Sequence, residues 1–283
     1  MIPTLPRSNG VRVGFVAYVM LFFAYLAAPL VIVGLFAFND SRFPALPWNG
    51  FTWDWFFASG PERTGVFHDR AVLRSIATSA WVAGFVTFFS VLFATLNAFL
   101  FERHQFPGKN LLYICMLLPL VIPGVILGIS ILVFASGIAN RADALLNLEL
   151  DFLRPGLVLV VLGQFAFLTT IATLIISARL RKFDRSLEEA ALNLGATPVV
   201  AIFTITLPYL RPALVGAALV CFLMSFENFN TTLMLVGSDA PLTITLFSRL
   251  REGATPLLNA VSLLLMLGSS LLALVSIAFQ RKT

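Results

Sequence analysis

The sequence has 283 residues, of which 59% are hydrophobic and only 12% are charged, and its formal net charge is +5. Soluble domains are about 45–50% apolar and about 25% charged, so this composition excludes a water-soluble, disordered or collagen-like chain and indicates a protein that crosses a membrane several times. The basic residues form no block of five or six, which argues against a nucleic-acid-binding module.

Six apolar segments are long enough to cross a bilayer, whose hydrocarbon core of about 30 Å requires roughly 20 apolar residues in a helix. Alternating strands of about ten residues are absent from the sequence, so an all-α fold with six transmembrane helices is predicted rather than a barrel. The first segment is too long for a secretory signal, and we expect a retained anchor. The predicted spans are approximately Val13–Phe38, Val72–Phe101, Leu111–Ile138, Gly156–Ala178, Pro212–Val236 and Pro256–Phe279.

The loops between the spans predict the orientation of the chain. Eleven of the 19 lysines and arginines fall on the side that holds both termini and the longest inside loop, and eight fall on the other side. Basic residues in short loops favour the cytoplasm, so we expect both termini there. The aromatic segment Phe51–Phe57 then lies outside, either as a short interfacial helix or as ordinary aromatic anchoring at the membrane surface.

Two prolines interrupt the third predicted span. Pro119 and Pro123 lack a backbone N–H, so they free carbonyl groups and are expected to bend the helix, either for a moving gate or simply for packing. The two cysteines, Cys115 and Cys221, lie in apolar runs and are expected to be small buried side chains. Without a cluster of histidines and cysteines at ligand spacing, no metal site is predicted.

The longest inside loop, residues 179–211, begins with the pattern of a short helix. Ser186 and Glu189 have the spacing of a capping box, in which each side chain bonds the other residue's backbone N–H. Strong helix formers follow through Leu194. The small side chains of Ala190 and Ala191 leave one patch of the helix surface without projecting side chains.

The second half of the same loop predicts another helix after a tight turn. Gly195 stands where a helix ends in a left-handed residue, and Thr197 with Pro198 has the pattern of an N-cap and a first helical residue. This second helix is expected to run through Phe203–Ile205 and to stop before Pro208. The spacing alone leaves open whether the elbow is an ordinary connector against the membrane or a docking element for a partner protein.

The residues of the elbow resemble the EAA signature of the permease subunits of ABC importers. In that family the elbow is the coupling helix, which fits a groove on a separate ATP-hydrolysing subunit. The matching positions are Glu189, Ala190, Ala191, Gly195, Ile205, Leu207 and Pro208.

The resemblance extends along the chain to the spermidine/putrescine-type permeases. It includes Phe51-Thr52 through Trp55, Leu73–Ser79, Leu118-Pro119 through Pro123-Gly124, Pro241-Leu242, Ser248-Arg249, Gly253, Pro256 and Asn259-Ala260.

This resemblance implies a type I ABC importer permease fold, with residues 1–283 as a single transmembrane domain that contains the coupling elbow at residues 179–211. It implies a bacterial cytoplasmic (inner) membrane protein that is not itself an enzyme and binds no cofactor, with ATP and Mg on partner subunits. The chain has no Gly-x-x-x-x-Gly-Lys-[Ser/Thr] motif of its own. The implied partners are two ATPase subunits, a second permease subunit, a periplasmic or extracellular solute-binding protein and membrane lipid, and no nucleic acid.

One acidic residue, Glu227, falls well inside a predicted span. A charge there is costly, so an intramembrane acid is a functional candidate, although it can also bond a neighbouring helix. In an unbroken helix Glu227, Asn230 and Thr231 share one face. Similar permeases often have two adjacent aspartates here, whereas this chain has Glu227 and Asn228. These four residues and Gln164 in the fourth span are the predicted substrate pathway.

The predicted function is therefore the permease subunit of an ATP-driven importer of a small amine-bearing solute, a polyamine or a related compound. The single acid leaves an amino acid, an opine, a betaine or an organophosphonate open as the solute. An ion-gradient-driven secondary transporter is the alternative from another class, but neither inverted repeats nor interrupted midplane helices are evident in the sequence. A channel would require a ring of charges or carbonyls, which one glutamate does not supply.

Overall fold

The computed structural model describes residues 9–44, 46–60, 63–253 and 255–281. Within them the regular elements are helices, and two isolated β-bridges join Asn39 to Phe51 and Ser59 to Thr64. The α-helices are α1 (Asn9–Phe36), α2 (Asp54–Phe57), α3 (Arg70–Arg103), α4 (Lys109–Val121), α5 (Gly124–Leu146), α6 (Leu157–Leu180), α7 (Ser186–Asn193), α8 (Pro198–Ala201), α9 (Leu207–Phe226), α10 (Asn230–Leu235), α11 (Leu242–Glu252) and α12 (Pro256–Arg281). A 3₁₀ turn at Asp151–Leu153 precedes α6, and a π-helical turn at Ile202–Thr206 joins α8 to α9.

Six helical stretches of the described chain are long and apolar enough to cross a membrane, and the predicted all-α class with six spans is confirmed. Two predicted boundaries are wrong in an informative way. The spanning stretches are Gly10–Phe36, Arg70–Arg103, Gly124–Leu146, Leu157–Leu180, Pro198–Phe226 and Pro256–Leu274.

The third predicted span, Leu111–Ile138, is two helices rather than one bent helix. α4 ends at Val121, and Ile122 adopts an extended conformation with ψ 128°. A proline disfavours the α conformation in the residue before it, so Pro123 ends the helix outright. Pro119, by contrast, lies inside α4. With 13 residues, α4 is about 20 Å long and too short to cross the hydrocarbon core, which α5 can do.

The fifth predicted span, Pro212–Val236, begins and ends too late. The observed helical stretch runs from Pro198 to Phe226 and includes Pro208 and Pro212. The chain then leaves the helix at Glu227 and resumes it in α10. Averaged hydropathy could not detect this break, because the apolar residues of α9 and of Leu233–Val236 outweigh the short polar run at residues 227–232.

The chain divides into two compact units, Met1–Arg70 with Arg249–Gly268, and Ala71–Ser248 with Ser269–Thr283. In the first unit, the indole Nε1 of Trp55 donates a hydrogen bond of 2.9 Å to the carbonyl oxygen of the buried Asn39. Only Asp54–Phe57 of the predicted aromatic helix is helical. Trp55 and Phe56 are buried there, whereas Phe51, Trp53 and Phe57 are exposed, so the segment packs through one side and its place at a membrane surface stays a prediction.

Ion pairs hold the same unit together. Arg63 binds Asp40 and Asp54, and the hydrogen bond with Asp40 raises the pKa of Arg63 above its ordinary value. Arg249 binds both carboxylate oxygens of Asp69, at 2.6 and 3.0 Å, across 180 residues of sequence. Bidentate pairs of this kind fix orientation as well as distance.

In the second unit, α6 lies at the centre and packs against α4, α5, α9 and α10. Leu168 and Ile176 of α6 are fully buried in one apolar cluster with Leu210 and Cys221 of α9. α5 and α10 approach closely, because a Cβ at Gly128 would lie 3.1 Å from the carbonyl oxygen of Thr231. Cys221 is buried as predicted, whereas Cys115 is exposed on α4 and that prediction is wrong.

Candidate functional site

The elbow predicted in the loop at residues 179–211 is present, and its turn is a Schellman motif. α7 ends at Asn193, Gly195 has φ +90°, the N–H of Gly195 bonds the carbonyl of Leu192, and that of Ala196 bonds the carbonyl of Ala191. This pair of bonds satisfies carbonyls that the end of a helix leaves unpaired. The left-handed glycine predicted at this position is confirmed.

The start of the second elbow helix also has the predicted cap. The side-chain oxygen of Thr197 accepts a hydrogen bond of 3.4 Å from the N–H of Val200, and Pro198 is the first residue of α8. Pro198 suits this place because the first N–H of a helix has no partner within the helix. Helix, glycine turn and capped second helix therefore follow from local sequence alone.

The predicted capping box of Ser186 and Glu189 is wrong. The backbone N–H of Ser186 donates to the side chain of Asp184 at 3.0 Å, and no side chain caps α7 from the predicted position. This hydrogen bond lowers the pKa of Asp184 below its usual value. An aspartate two residues ahead of the N–H it accepts from is a common alternative to the box, and its carboxylate favours the positive end of the helix.

The second elbow helix does not stop before Pro208. α8 passes through the π-helical turn Ile202–Thr206 directly into α9, in which Pro208 is the second residue. Proline cannot donate to the carbonyl four residues earlier, and the wider π turn just ahead of it changes the bonding register. The second helix of the elbow, α8, and the fifth span are consequently one continuous helical stretch.

The elbow has exposed apolar side chains that no part of the described chain covers. Leu194 is 90% exposed and Phe203 is 65% exposed. The seven EAA positions divide by exposure: Glu189, Ala190, Gly195 and Pro208 are exposed, and Ala191, Ile205 and Leu207 are half-buried. Exposed apolar side chains next to charged ones are typical of a protein-docking surface.

The inner side of the elbow is fixed by residues that the sequence did not single out. The guanidinium of Arg103, at the end of α3, binds both carboxylate oxygens of Glu188, at 2.8 and 2.9 Å. Glu188 also accepts a hydrogen bond from the hydroxyl of Thr206 in the π turn. We call these three residues the elbow clamp. The sequence feature that points to this contact is the Glu102-Arg103 pair at the end of the second span. Such a pair is too common to predict a partner 85 residues away.

A second, more exposed tie joins the same two segments. Arg181 binds the carboxylate of Glu102 at 2.9 Å, and the hydrogen bond with Glu102 raises the pKa of Arg181. Arg185 donates to the carbonyl oxygen of Glu102, also at 2.9 Å. The last two residues of α3, Glu102 and Arg103, thus hold both the elbow and the segment that leads to it.

The predicted acid lies at a helix break, not on a helix face. Glu227 follows the last residue of α9, and its exposed carboxylate has no hydrogen-bond or ion-pair partner among the described residues. Asn230 is exposed in α10, whereas Thr231 is buried and donates to the carbonyl of Gly124 at 3.3 Å. The prediction that Glu227, Asn230 and Thr231 share one face of an unbroken helix is therefore wrong.

Asn228 stabilises the break by replacing a backbone hydrogen bond. In an unbroken helix the N–H of Thr232 would bond the carbonyl of Asn228, but here it bonds the side-chain oxygen of Asn228 at 3.2 Å. The carbonyl that this releases accepts a hydrogen bond of 3.0 Å from the hydroxyl of Thr243. Both backbone groups are satisfied, so the open chain at Glu227 is a stable feature.

Gln164 is fully buried between α6, α9 and α10. Its amide nitrogen donates to the hydroxyl of Thr232 at 2.8 Å, and its oxygen accepts from Ser225. A buried amide with both ends paired stabilises the junction of these helices. The structure therefore brings Gln164 to the same helix break as Glu227 but does not expose it there.

A family model described as "Binding-protein-dependent transport system inner membrane component" matches residues 87–282, more than half of the chain. The chain belongs to this family. It is thus the membrane component of a transport system, and with six spanning helices it is a multi-pass membrane protein.

Two curated relatives cover nearly all of the permease. It is 29% identical over 253 residues to the putrescine transport system permease protein PotI of Escherichia coli strain K12, which covers 89% of this chain and 85% of the relative. It is 27% identical over 267 residues to the spermidine/putrescine transport system permease protein PotC of Haemophilus influenzae, with coverage of 94% and 96%.

Solved structures that resemble the permease include bacterial ABC transporters, which confirms the ABC importer permease fold. A bacterial transporter involved in the import of the polysaccharide alginate matches with a TM-score of 0.74, at 17% identity and with 97% and 96% of the two chains covered. A second structure, of a bacterial alginate transporter in complex with a periplasmic protein that carries an alginate pentasaccharide, matches with a TM-score of 0.68, 16% identity and coverage of 95% and 92%.

Proposed function

We propose that the permease is one of two membrane subunits of an ATP-driven importer for small amine-bearing solutes, with polyamines as the first candidates. The observation that carries the proposal is the elbow, a Gly195-centred pair of helices with an exposed apolar surface and a clamped inner side. Two ATPase subunits, a second permease subunit and a solute-binding protein complete the proposed assembly. Both termini and the elbow at residues 179–211 face the cytoplasm in this proposal.

The elbow is suited to transmit movement because it is rigid. Coupling between distant sites needs an element with discrete positions rather than one that deforms continuously. α7 is tied to α3 through Glu188, and α8 continues into α9 without a break. When two ATPase subunits close around ATP, a displacement at the exposed surface of the elbow therefore moves the spanning helices with it.

The docking contact is proposed to involve the seven EAA positions. Their exposed members, Glu189, Ala190, Gly195 and Pro208, lie on the outer side of the elbow together with apolar Leu194. Small residues allow close approach of a partner groove, and the carboxylate of Glu189 offers a charged anchor at its edge. ATP and Mg belong to the partner subunits.

The choice of an amine as solute is supported by two observations. The relatives that cover most of the chain are named for putrescine and spermidine transport. Glu227 also presents a carboxylate that has no partner in the described part of the chain, at the helix break after α9, where a protonated amine would compensate its charge. We assign Glu227, Asn228 and Asn230 to the solute pathway, with Thr231 and Gln164 holding the break in shape.

Purification and reconstitution test this function. A tagged permease extracted from its native membrane should retain ATPase subunits and a second permease. The complex is reconstituted into proteoliposomes that enclose the binding protein and labelled putrescine, with the elbow facing the medium. ATP is added to the medium, and the ATP-dependent release of putrescine from the lumen into the medium is measured. Uptake that needs a proton or sodium gradient and ignores ATP would instead assign the chain to secondary transport.

The same preparation separates the coupling from the solute class. ATP-driven movement of putrescine that competes with spermidine supports both parts of the proposal. ATP-driven movement of an amino acid, betaine or organophosphonate with no movement of putrescine would overturn the amine assignment and leave the coupling intact.

A further inference from the structure

We infer that Arg103 and Glu188 are positioning residues for energy coupling, because they attach the elbow to α3 so that its displacement moves α3 together with α6 and α9. This inference rests on the proposed function, since it specifies how the same elbow acts. The residues lie in one compact unit of the chain. Neither of them is among the seven EAA positions.

The geometry of the pair indicates a strong and directional contact. Two hydrogen bonds of 2.8 and 2.9 Å, from separate nitrogens to separate oxygens, join the guanidinium to the carboxylate. The side chains are only 15% and 17% exposed. Ion pairs on an open surface contribute little, whereas a bidentate pair shielded from water resists both bending and separation.

Two aromatic rings also contact the guanidinium of Arg103. Its guanidinium carbon lies 5.5 Å from the ring centre of Phe183 and 5.9 Å from that of Phe99. Phe99 belongs to α3, and the buried Phe183 belongs to the approach to α7. The rings attract the cation and restrict its rotamers, so Arg103 is held in place from both segments.

The carboxylate of Glu188 reaches a third segment through Thr206. Thr206 is fully buried at the end of the π turn, and its hydroxyl donates to the same carboxylate. Kinks in long helices occur at π-bulges and at prolines, so the π turn, with Pro208 just after it, is the place where α8 can bend relative to α9. One carboxylate thus joins α3, α7 and the base of α9, and it keeps the elbow from hinging independently of α9.

The consequence is a division of labour between the two sides of α7. The outer side meets the partner, and the inner side decides how far the displacement travels into the membrane. Loss of the clamp leaves the outer surface intact, so the ATPase subunits should still bind to the elbow. The displacement that the ATPase subunits produce should then bend the π turn instead of moving the spanning helices. ATP should be hydrolysed without a matching amount of solute transport.

The test measures ATP hydrolysed per putrescine imported by the whole reconstituted complex. Arg103→Lys keeps the charge but loses the planar two-point contact, and Glu188→Gln keeps the shape but loses the charge. Each is expected to retain most of the solute-stimulated ATPase activity and to raise the ratio of ATP to putrescine by at least about fivefold.

Arg74→Lys is the matched control on the same helix. Arg74 binds Asp239 at 2.7 Å near the other end of α3, but its side chain is 78% exposed. The ratio should therefore equal that of the unmodified complex within the error of the assay. An equal rise for Arg74→Lys and Arg103→Lys would overturn the inference.

Two further results would also overturn it. One is an unchanged ratio in both clamp variants, and the other is a proportional loss of ATPase activity and uptake, which a merely structural role predicts. Should a charge variant fail to assemble, Thr206→Val removes only the hydroxyl, and its ratio is expected to rise about twofold, with no rise counting against the clamp. Absence of ATPase activity in the unmodified complex would instead refute the proposed function.

Discussion

Neighbouring glutamates in α7 have opposite surroundings. Successive residues of an α-helix point about 100° apart, so Glu189 is exposed on the outer side while Glu188 turns inward to Arg103. The sequence motif identified Glu189 correctly as a residue of the elbow. It could not identify Glu188, because the partner of that residue lies 85 positions away in another helix.

At the residue scale, Glu227→Gln is expected to weaken the import of a cationic solute. The change is isosteric and removes one negative charge from an exposed site, so a loss of about two- to fivefold in apparent affinity for putrescine is expected. Monoacetylated putrescine, which has one charge fewer, should be affected less. Initial rates of uptake over a range of concentrations measure both values.

Asn228→Asp is the matched variant for this site. An aspartate oxygen can accept the same hydrogen bonds from Thr232 that Asn228 accepts now, so the helix break should persist. The added charge should improve the apparent affinity for putrescine. Equal effects of Glu227→Gln on putrescine and on its acetylated form would give Glu227 a structural role.

At the element scale, the elbow depends on the left-handed backbone of Gly195. A Cβ there would meet no atom within 4 Å, so strain and not crowding decides the effect of a substitution. Gly195→Val should cost about 1–2 kcal/mol in the turn and lower ATP-driven uptake roughly fivefold. Membrane insertion should not change, which the amount of protein in washed membranes measures.

Gly195→Asn provides the control for this prediction. Asparagine tolerates the left-handed conformation far better than a β-branched residue does, and both side chains add bulk at the same point. Its uptake should remain within about twofold of the unmodified protein. Similar losses in the two variants would show that bulk at the docking surface, and not the turn, is what matters.

The two helix breaks that are missing from the predicted spans have related causes. Local patterns predicted α7, its glycine turn and the cap of α8, since each depends on residues within a few positions. The breaks at Pro123 and at Glu227 lie inside segments predicted as single spans, where averaged hydropathy does not report the backbone conformation. Pro123 was detected but treated as a bend, and the break at Asn228 depends on Thr243 from another helix.

At the scale of the whole molecule, the orientation of the chain remains a prediction, and thiol labelling can measure it. With Cys115→Ser as background, because Cys115 is exposed and Cys221 is buried, a single new cysteine reports its own side of the membrane. A membrane-impermeant maleimide should label Ser238→Cys in intact spheroplasts and should label Asn193→Cys only after the membrane is opened. Both positions are exposed in the fold.

The reverse labelling pattern would invert the proposed topology and separate the elbow from any cytosolic ATPase. Labelling of both cysteines in intact spheroplasts would show that the reagent crosses the membrane. Arg63→Cys is not suitable as an outside reporter, because Arg63 holds Asp40 and Asp54 in place.

The sequence by itself determined the class of protein, the number of spans and the elbow, because apolar length, glycine and capping residues act over short distances. The tertiary structure alone decided which polar groups meet. Arg103 with Glu188, Gln164 with Thr232, and the open chain at Glu227 depend on helices far apart in sequence packing side by side. A buried polar group must find a partner, and only the fold determines which one is within reach.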